Sequence, residues 1–207
     1  MKCIIIGAGN LNITSLQHEK DDYLIACDGG YNYCKELKIK PNLLVGDLDS
    51  IKEVPTDIEI VQYPTTKDDT DMALAIKEGI KRGYRNFILY AAMGGRIEHE
   101  LANIQLMAKY NKAGYNVEIL DQNIYMKILK RHDEVGINAF FKGYVSVFSY
   151  TKHARITINN MAYNVKYKRI NNHNPIGIDN EATDTDGMIR VHSGLVLLII
   201  TKTKEQS

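Results

Sequence analysis

The chain reads as an α/β N-terminal domain with a mostly parallel sheet, followed by an all-β C-terminal domain built as an antiparallel sandwich or barrel. Three observations predict this. Short apolar runs alternate with helix-period segments as far as Leu120. Beyond Asp121 the helical spacing stops, and strand-like segments follow one another between Gly, Asn and Asp. No Pro- or Ser-rich linker separates the halves, so the predicted domains, 1–121 and 122–207, adjoin closely.

Cys3–Gly7 and Tyr23–Cys27 are apolar runs of strand length, and Asp28-Gly29-Gly30 ends the second and opens a helix over Tyr31–Lys38. Asn42–Val45 is the next buried strand, and Ile58–Val61 another, ended by Tyr63-Pro64. Met72, Ile76 and Ile80 recur at helical spacing, with Gly83 placed to stop that helix. Phe87–Ala92 is a strand. Ile97, Leu101, Ile104 and Ala108 mark an amphipathic helix ending near Gly114, and Val117–Leu120 a strand. The second half gives strands at Tyr125–Lys130, Tyr144–Tyr150, Ala154–Ile158, Tyr163–Tyr167 and Leu195–Thr201.

The bulk numbers exclude several classes. The 207 residues are 44% hydrophobic and 25% charged, ordinary for a globular protein. A formal net charge of +1 argues against a general nucleic-acid or membrane surface. Met1–Gly7 is too short an apolar run for a signal peptide or a membrane span. Cys3, Cys27 and Cys34 are odd in number and lack metal-finger spacing, which points to free thiols and a cytoplasmic location.

The chemistry gathers just after predicted strands. Asp47 and Asp49 follow the Asn42–Val45 strand, where alternation puts residues two apart on one face. Two like charges there need a positive partner, and carboxylate oxygens suit Mg²⁺. Asp28-Gly29-Gly30, Lys67-Asp68-Asp69-Thr70-Asp71 and Gly94-Gly95-Arg96 follow three other strands. In a parallel sheet all four loops emerge on one edge. Glycines at a helix start favour phosphate, Lys67 and Arg96 add charge-assisted bonds, and the carboxylates tolerate phosphate only across a metal. MgATP meets all three conditions. Each segment also has a structural alternative: helix capping for Asp68–Asp71, a plain turn for Gly94-Gly95 and for Gly7-Ala8-Gly9, and a helix-surface role for His99. Four coincidences at successive strand ends are less expected than one site.

In this order the segments resemble the thiamine pyrophosphokinase family. The resemblance rests on Asp28-Gly29-Gly30, Pro41–Ser50, Lys67–Asp71, Gly94–Asn103 and Pro175–Glu181. It implies Mg²⁺-dependent transfer of the pyrophosphoryl group of ATP to thiamine, giving thiamine diphosphate and AMP. It also implies a nucleotide site in the α/β domain and a homodimer whose interface holds thiamine. Carried over by motif, Asp47, Asp49 and Asp71 hold Mg²⁺ and the phosphates, with Asp49, Asp71 and Arg96 as the catalytic set. Lys67, Asp68 and Arg96 complete the nucleotide and phosphate contacts, and Gly29, Gly30, Gly94, Gly95 and His99 are further ligand-binding candidates. Asp28, Asn103, Asp179 and Asn180 lie nearer the thiamine side. Two positions depart from the family pattern: Glu98 stands where Asp is usual, and Asp179 where Ser is usual. The chain also has no Trp to stack on thiamine, which leaves that task to a Tyr or Phe. The rival readings are a pterin-alcohol pyrophosphokinase, a nucleotide-sugar transferase using D-x-D, and a non-catalytic ATP sensor.

Overall fold

The computed structural model describes residues 1–11, 16–51, 53–66 and 68–203. Lys67, a predicted phosphate contact, lies outside the described residues. The chain divides into two compact units, Met1–Gln122 and Asn123–Ser207.

Unit 1 is a parallel sheet built from β1 (Cys3–Ile6), β2 (Tyr23–Cys27), β3 (Leu43–Gly46), β4 (Glu59–Gln62), β5 (Asn86–Tyr90) and β6 (Asn116–Leu120). The strand order is β4-β3-β2-β1-β5-β6, with every pairing parallel. Winding runs outward from β1 to β4, then returns to lay β5 on the other side of β1. That reversal is where open α/β sheets form a crevice at their carboxyl edge. Three helices, α1 (Gly30–Glu36), α2 (Asp71–Lys81) and α3 (Ile97–Lys112), join strands of this sheet.

Strand alternation divides the core. Ile4, Ile6, Leu24, Ala26, Leu44 and Tyr90 pack with Cys34 of α1. The intervening residues face α2: a Cβ on Gly79 of α2 would meet Phe87 and Cys3, and Cys27 Sγ reaches the Asp71 carbonyl. Helices therefore cover both faces, which explains the continuous apolar strands. All three thiols are buried and free. Burial pushes Cys3 and Cys34 up to about 12 and Cys27 well above its ordinary value, so these groups fill the core as neutral thiols.

The α3 periodicity holds at Ala108, which is buried, and at half-buried Ile104, but fails over the first turns. Ile97 and Leu101 are 66% and 55% exposed, while Asn103, Met107, Ala108, Tyr110 and Asn111 are buried. Asn111 earns its place in the core by donating to the carbonyls of Met107 and Val117.

Near the end of α2, Glu78 is buried and accepts hydrogen bonds from Tyr63, Lys81 and Arg82 at 2.6–2.8 Å. Burial pushes its carboxyl up, but the bonds from Lys81, Arg82 and Tyr63 outweigh burial and leave the pKa at about 2. The folded value lies below the ordinary 4.5, so the network stabilises above that pH and its contribution disappears as pH falls toward 2. The expected size is on the order of 3 kcal/mol. Urea midpoints measured across that window should fall steeply for the native chain and more gently for Glu78→Gln; superimposable profiles would show that the network contributes nothing.

Unit 2 contains β7 (Ile124–Leu129), β8 (Glu134–Ile137), β9 (Gly143–Ser149), β10 (His153–Asn159), β11 (Val165–Asn171), β12 (Gly187–Ser193) and β13 (Val196–Lys202). The orders β7-β13-β9 and β11-β10-β12-β8 are antiparallel throughout. Both sets contribute to one core that includes Leu129, Val147, Ile156, Ile189 and Leu198, which makes a sandwich. The sequence reading placed no strand at β8 or β12 and began β11 two residues early, at Tyr163 instead of Val165.

Candidate active site

The carboxyl edge of the unit 1 sheet holds a cavity of about 530 Å³. Its floor is the loop after β1 joined to the loop after β5. The amides of Gly7, Gly9 and Asn10 donate to the carbonyls of Tyr90, Ala91 and Met93. A Cβ on Gly7 or Gly9 would approach the Ala91 carbonyl oxygen to 2.7 or 2.6 Å, so glycine alone permits this join. Tyr33 of α1 donates its hydroxyl to the Gly9 carbonyl at 2.7 Å and fixes the loop from the side.

Asp47 and Asp49 come together through a turn. β3 ends at Gly46, and Leu48 adopts φ +69. That places Leu48 against the α1-side core and leaves its two neighbours on the cavity. The Asp49 amide donates to Asp47 Oδ1 at 3.4 Å, and Ser50 Oγ to Asp49 Oδ1 at 3.0 Å. The expected cause, strand alternation, is therefore replaced by a left-handed residue after the strand end.

Asp28 completes the group. It has φ +39, its amide donates to Val45, and its Cβ lies where a side chain on Gly46 would sit. Asp28, Asp47 and Asp49 each offer an oxygen within 4.8 Å of the others. Asp28 is 8% exposed, and its Oδ1 is buried without a hydrogen-bond partner. A buried carboxylate oxygen beside two more carboxylates is an unfavourable arrangement unless a cation completes it. The donor set, all hard oxygen, fits Mg²⁺.

Asp71 lies on the same cavity but outside that group of three. Thr70, with its hydroxyl accepting from the Ala73 amide, caps α2 and leaves Asp71 as its first residue. Asp68 is exposed and is not on the cavity wall.

The opposite wall comes from the start of α3. Gly95, Arg96, His99, Glu100 and Asn103 line it, with Asn103 about one turn beyond the adjacent His99 and Glu100. Arg96 is 74% exposed along its side chain and pairs with Glu98, Nε to Oε1 at 2.6 Å. A hydrogen bond from its own backbone amide, then the Arg96 guanidinium, holds the Glu98 carboxyl below its ordinary range. Gly94 has φ +77, and its amide donates to Glu100 Oε1 at 2.9 Å. Asn103 is buried and donates to the Ala92 carbonyl at 2.7 Å. Gly30 is required by packing, since a Cβ there would lie 2.2 Å from the Ile6 carbonyl oxygen. Glu100 and Ser50 also line the cavity and were absent from the predicted set; Glu100 stands in α3's first turn, where acids are ordinary helix chemistry and give no separate signal.

Asp179 and Asn180 belong to unit 2. Asn180 is buried. Its Oδ1 accepts from the amides of Tyr163 and Glu181, and its Nδ2 donates to the Tyr163 carbonyl. Asp179 is exposed, with φ +57.

The family model described as thiamin pyrophosphokinase, catalytic domain, matches residues 15–119, just over half of the chain. The chain belongs to the thiamin pyrophosphokinase family. A thiamine pyrophosphokinase from Bacillus subtilis is 26% identical over 96% of this chain and 98% of its own length. A structure from Staphylococcus saprophyticus, described as a probable thiamine pyrophosphokinase, is 30% identical, with 99% and 100% of the two chains covered and a TM-score of 0.70. The crystal structure of the Bacillus subtilis thiamine pyrophosphokinase shares the fold at a TM-score of 0.86, with 24% identity over 98% of this chain and all of that one. The matched segment contains the whole cavity except the β1 loop.

Proposed function

We propose that this chain transfers the pyrophosphoryl group of ATP to the hydroxyl of thiamine, giving thiamine diphosphate and AMP, at the unit 1 cavity and with Mg²⁺. Family membership gives the reaction. The observation that carries the site is the meeting of Asp28, Asp47 and Asp49, with one Asp28 oxygen buried and unpartnered. These three residues would hold the metal, which would supply positive charge to offset that of the phosphates.

The protein's own groups then have distinct tasks. The floor of glycine and alanine residues lets the triphosphate approach the main chain closely. Arg96 leaves Glu98 to meet charge building on the transferred group. Asp71, outside the metal group, accepts the proton of the thiamine hydroxyl as its oxygen attacks the β-phosphorus. The bond from the β-phosphorus to the oxygen it shares with the α-phosphorus breaks, and AMP departs with that oxygen. Positioning and charge neutralisation supply most of the rate, as in phosphoryl transfer generally. The reading includes a nucleotide-binding domain over 1–121, a thiamine-binding and dimerisation domain over 122–207, a homodimer, and a cytoplasmic location. Among the described residues no helix is long and apolar enough to cross a membrane.

The test is to incubate the protein with ATP, Mg²⁺ and thiamine, and separate the nucleotides. AMP and thiamine diphosphate should form in equal amounts and cease with EDTA. AMP formed with a pterin alcohol in place of thiamine, cleavage of a sugar nucleotide, or MgATP binding without turnover would each replace this reading with the corresponding rival.

A further inference from the structure

The net charge of +1 conceals an uneven distribution. From Val135 to Ile178 there is no Asp or Glu, while Lys142, Lys152, Arg155, Lys166, Lys168 and Arg169 are all cationic. Four of these lie on two neighbouring strands, β10 and the edge strand β11. On β10, Ala154, Ile156 and Ile158 are buried in the sandwich core, so Arg155 and Thr157 face away from it. The register sets Arg155 directly opposite Arg169, and sets Lys168 opposite the core-facing Ile156, so Arg155, Arg169 and the bulge residue Lys166 are the cations of the outer face. No carboxylate pairs with Arg155, Lys166, Lys168 or Arg169 among the described residues, whereas Arg190 on β12 is neutralised by Glu134 at 2.5 Å. The His153 imidazole is held below its ordinary range, first by burial and then by Arg169, Lys152 and His173.

An aromatic ring stands on the same face. The β10–β11 ladder slips between Ile156 and Ile158, leaving Lys166 and Tyr167 as a bulge opposite Thr157. Tyr167 adopts φ +52, and its amide donates to Thr157 Oγ1 at 3.0 Å. Its ring is braced by His192, 4.7 Å between centroids, and by the Arg155 guanidinium at 5.2 Å. Tyr167 nevertheless remains 56% exposed.

We propose that this face of the β10–β11 pair binds single-stranded nucleic acid without sequence preference, as a function separate from the transfer reaction. Lysines on an edge strand can be explained as protection against strand pairing. That explanation does not extend to Arg155 on an inner strand, held opposite a like charge, an arrangement that is unfavourable by itself. Nor does it call for a braced, exposed tyrosine. A single strand answers both: its phosphates lie along the cations, and a base stacks on the ring. The whole-chain charge that argued against nucleic acid at the sequence level averages this face with the acids of unit 1.

The probe is a fluorescein-labelled single-stranded oligonucleotide of about 15 nucleotides, within the range such surfaces cover. Anisotropy is followed in EDTA, so that the cavity, whose carboxylates tolerate phosphate only across a metal, is not the site measured. The native chain should bind with a dissociation constant of ~1–100 µM, weakening with salt at a log–log slope of about −2 for three contacted phosphates. Arg155→Ala with Arg169→Ala should reduce that slope by about 1.4. Tyr167→Ala should lower affinity about tenfold with the slope unchanged. Arg155→Lys with Arg169→Lys should restore the slope. Thiamine-dependent AMP formation should be the same in all of them, so failure of this proposal and failure of the transferase reading are told apart. Four results would each overturn the proposal: no binding at low salt, equal slopes for the native and double-alanine proteins, binding to phosphatidylserine vesicles but not the oligonucleotide, or a change of oligomeric state on sedimentation that accounts for the anisotropy difference.

Discussion

Asp49→Asn should lower turnover at least ~100-fold while raising the melting temperature of the metal-free protein. The two effects share one cause. Asp28, Asp47 and Asp49 offer oxygens within 4.8 Å of one another. Like charges at that range repel by roughly 1 kcal/mol in water, and by more where one is buried as Asp28 is. Removing one charge relieves the folded state. The same removal deletes a hard oxygen ligand and part of the field that offsets phosphate charge, a loss on the scale of one electrostatic catalytic group. Addition of Mg²⁺ should then raise the native melting temperature more than that of the variant. Calorimetry with and without Mg²⁺, alongside AMP release, separates these outcomes. Asp57→Asn is the control, because Asp57 is a surface residue paired with Lys40 at 2.6 Å. Native-like turnover in Asp49→Asn would remove Asp49 from the site, and a lower metal-free melting temperature would show that the repulsion is not real.

The second large effect is expected at Gly30, not at its neighbour. A Cβ at Gly30 would lie 2.2 Å from the Ile6 carbonyl oxygen and 2.7 Å from that of Gly7. Those atoms are backbone of β1 and of the cavity floor, so no rotamer change relieves the clash; α1 or β1 must move. Overpacking of this kind costs about 3 kcal/mol, which in a chain of this size lowers the melting temperature by about 6–12 °C. Gly29 has helical φ of −54 and ψ of −20, and its Cβ would come no closer than 3.3 Å to Ala8. Gly29→Ala should therefore change stability by less than about 1 kcal/mol. Were the two glycines present only so that phosphate could approach, both variants would lose affinity for ATP and neither would lose stability. Equal melting curves would remove the packing account.

This pair shows where reading a sequence stops. Asp28-Gly29-Gly30 was legible as a break after a strand, and its place on the carboxyl edge followed from the parallel order. That Gly30 meets the Ile6 carbonyl depends on how α1 seats on β1, which no local pattern contains. Asp28 joined the carboxylate group for a similar reason: a positive φ and the packing of its Cβ on Gly46 turn it toward Asp47. The inner strands β1, β2 and β3 were legible because both faces are covered and their residues are almost all buried and apolar. Helix α3 was located, and Ala108 is buried as its spacing predicts, but its buried side was misjudged over the first turns. Ile97 and Leu101 keep helical spacing with Ile104 and Ala108 yet lie in solvent, while Asn103 and Asn111 are drawn inward by carbonyls awaiting donors. In unit 2, β12 escaped notice because Arg190 and His192 interrupt its apolar residues, and the start of β11 was misjudged, a strand that also carries a bulge at Tyr167.

The cavity floor consists largely of Gly7, Ala8, Gly9, Ala91 and Ala92, stitched together by amide-to-carbonyl bonds. An inhibitor resting there would touch atoms common to every amino acid. Escape from such a compound through a single codon change would have to come from the rim, or from a bulkier residue that wrecks the floor for the natural ligand as well.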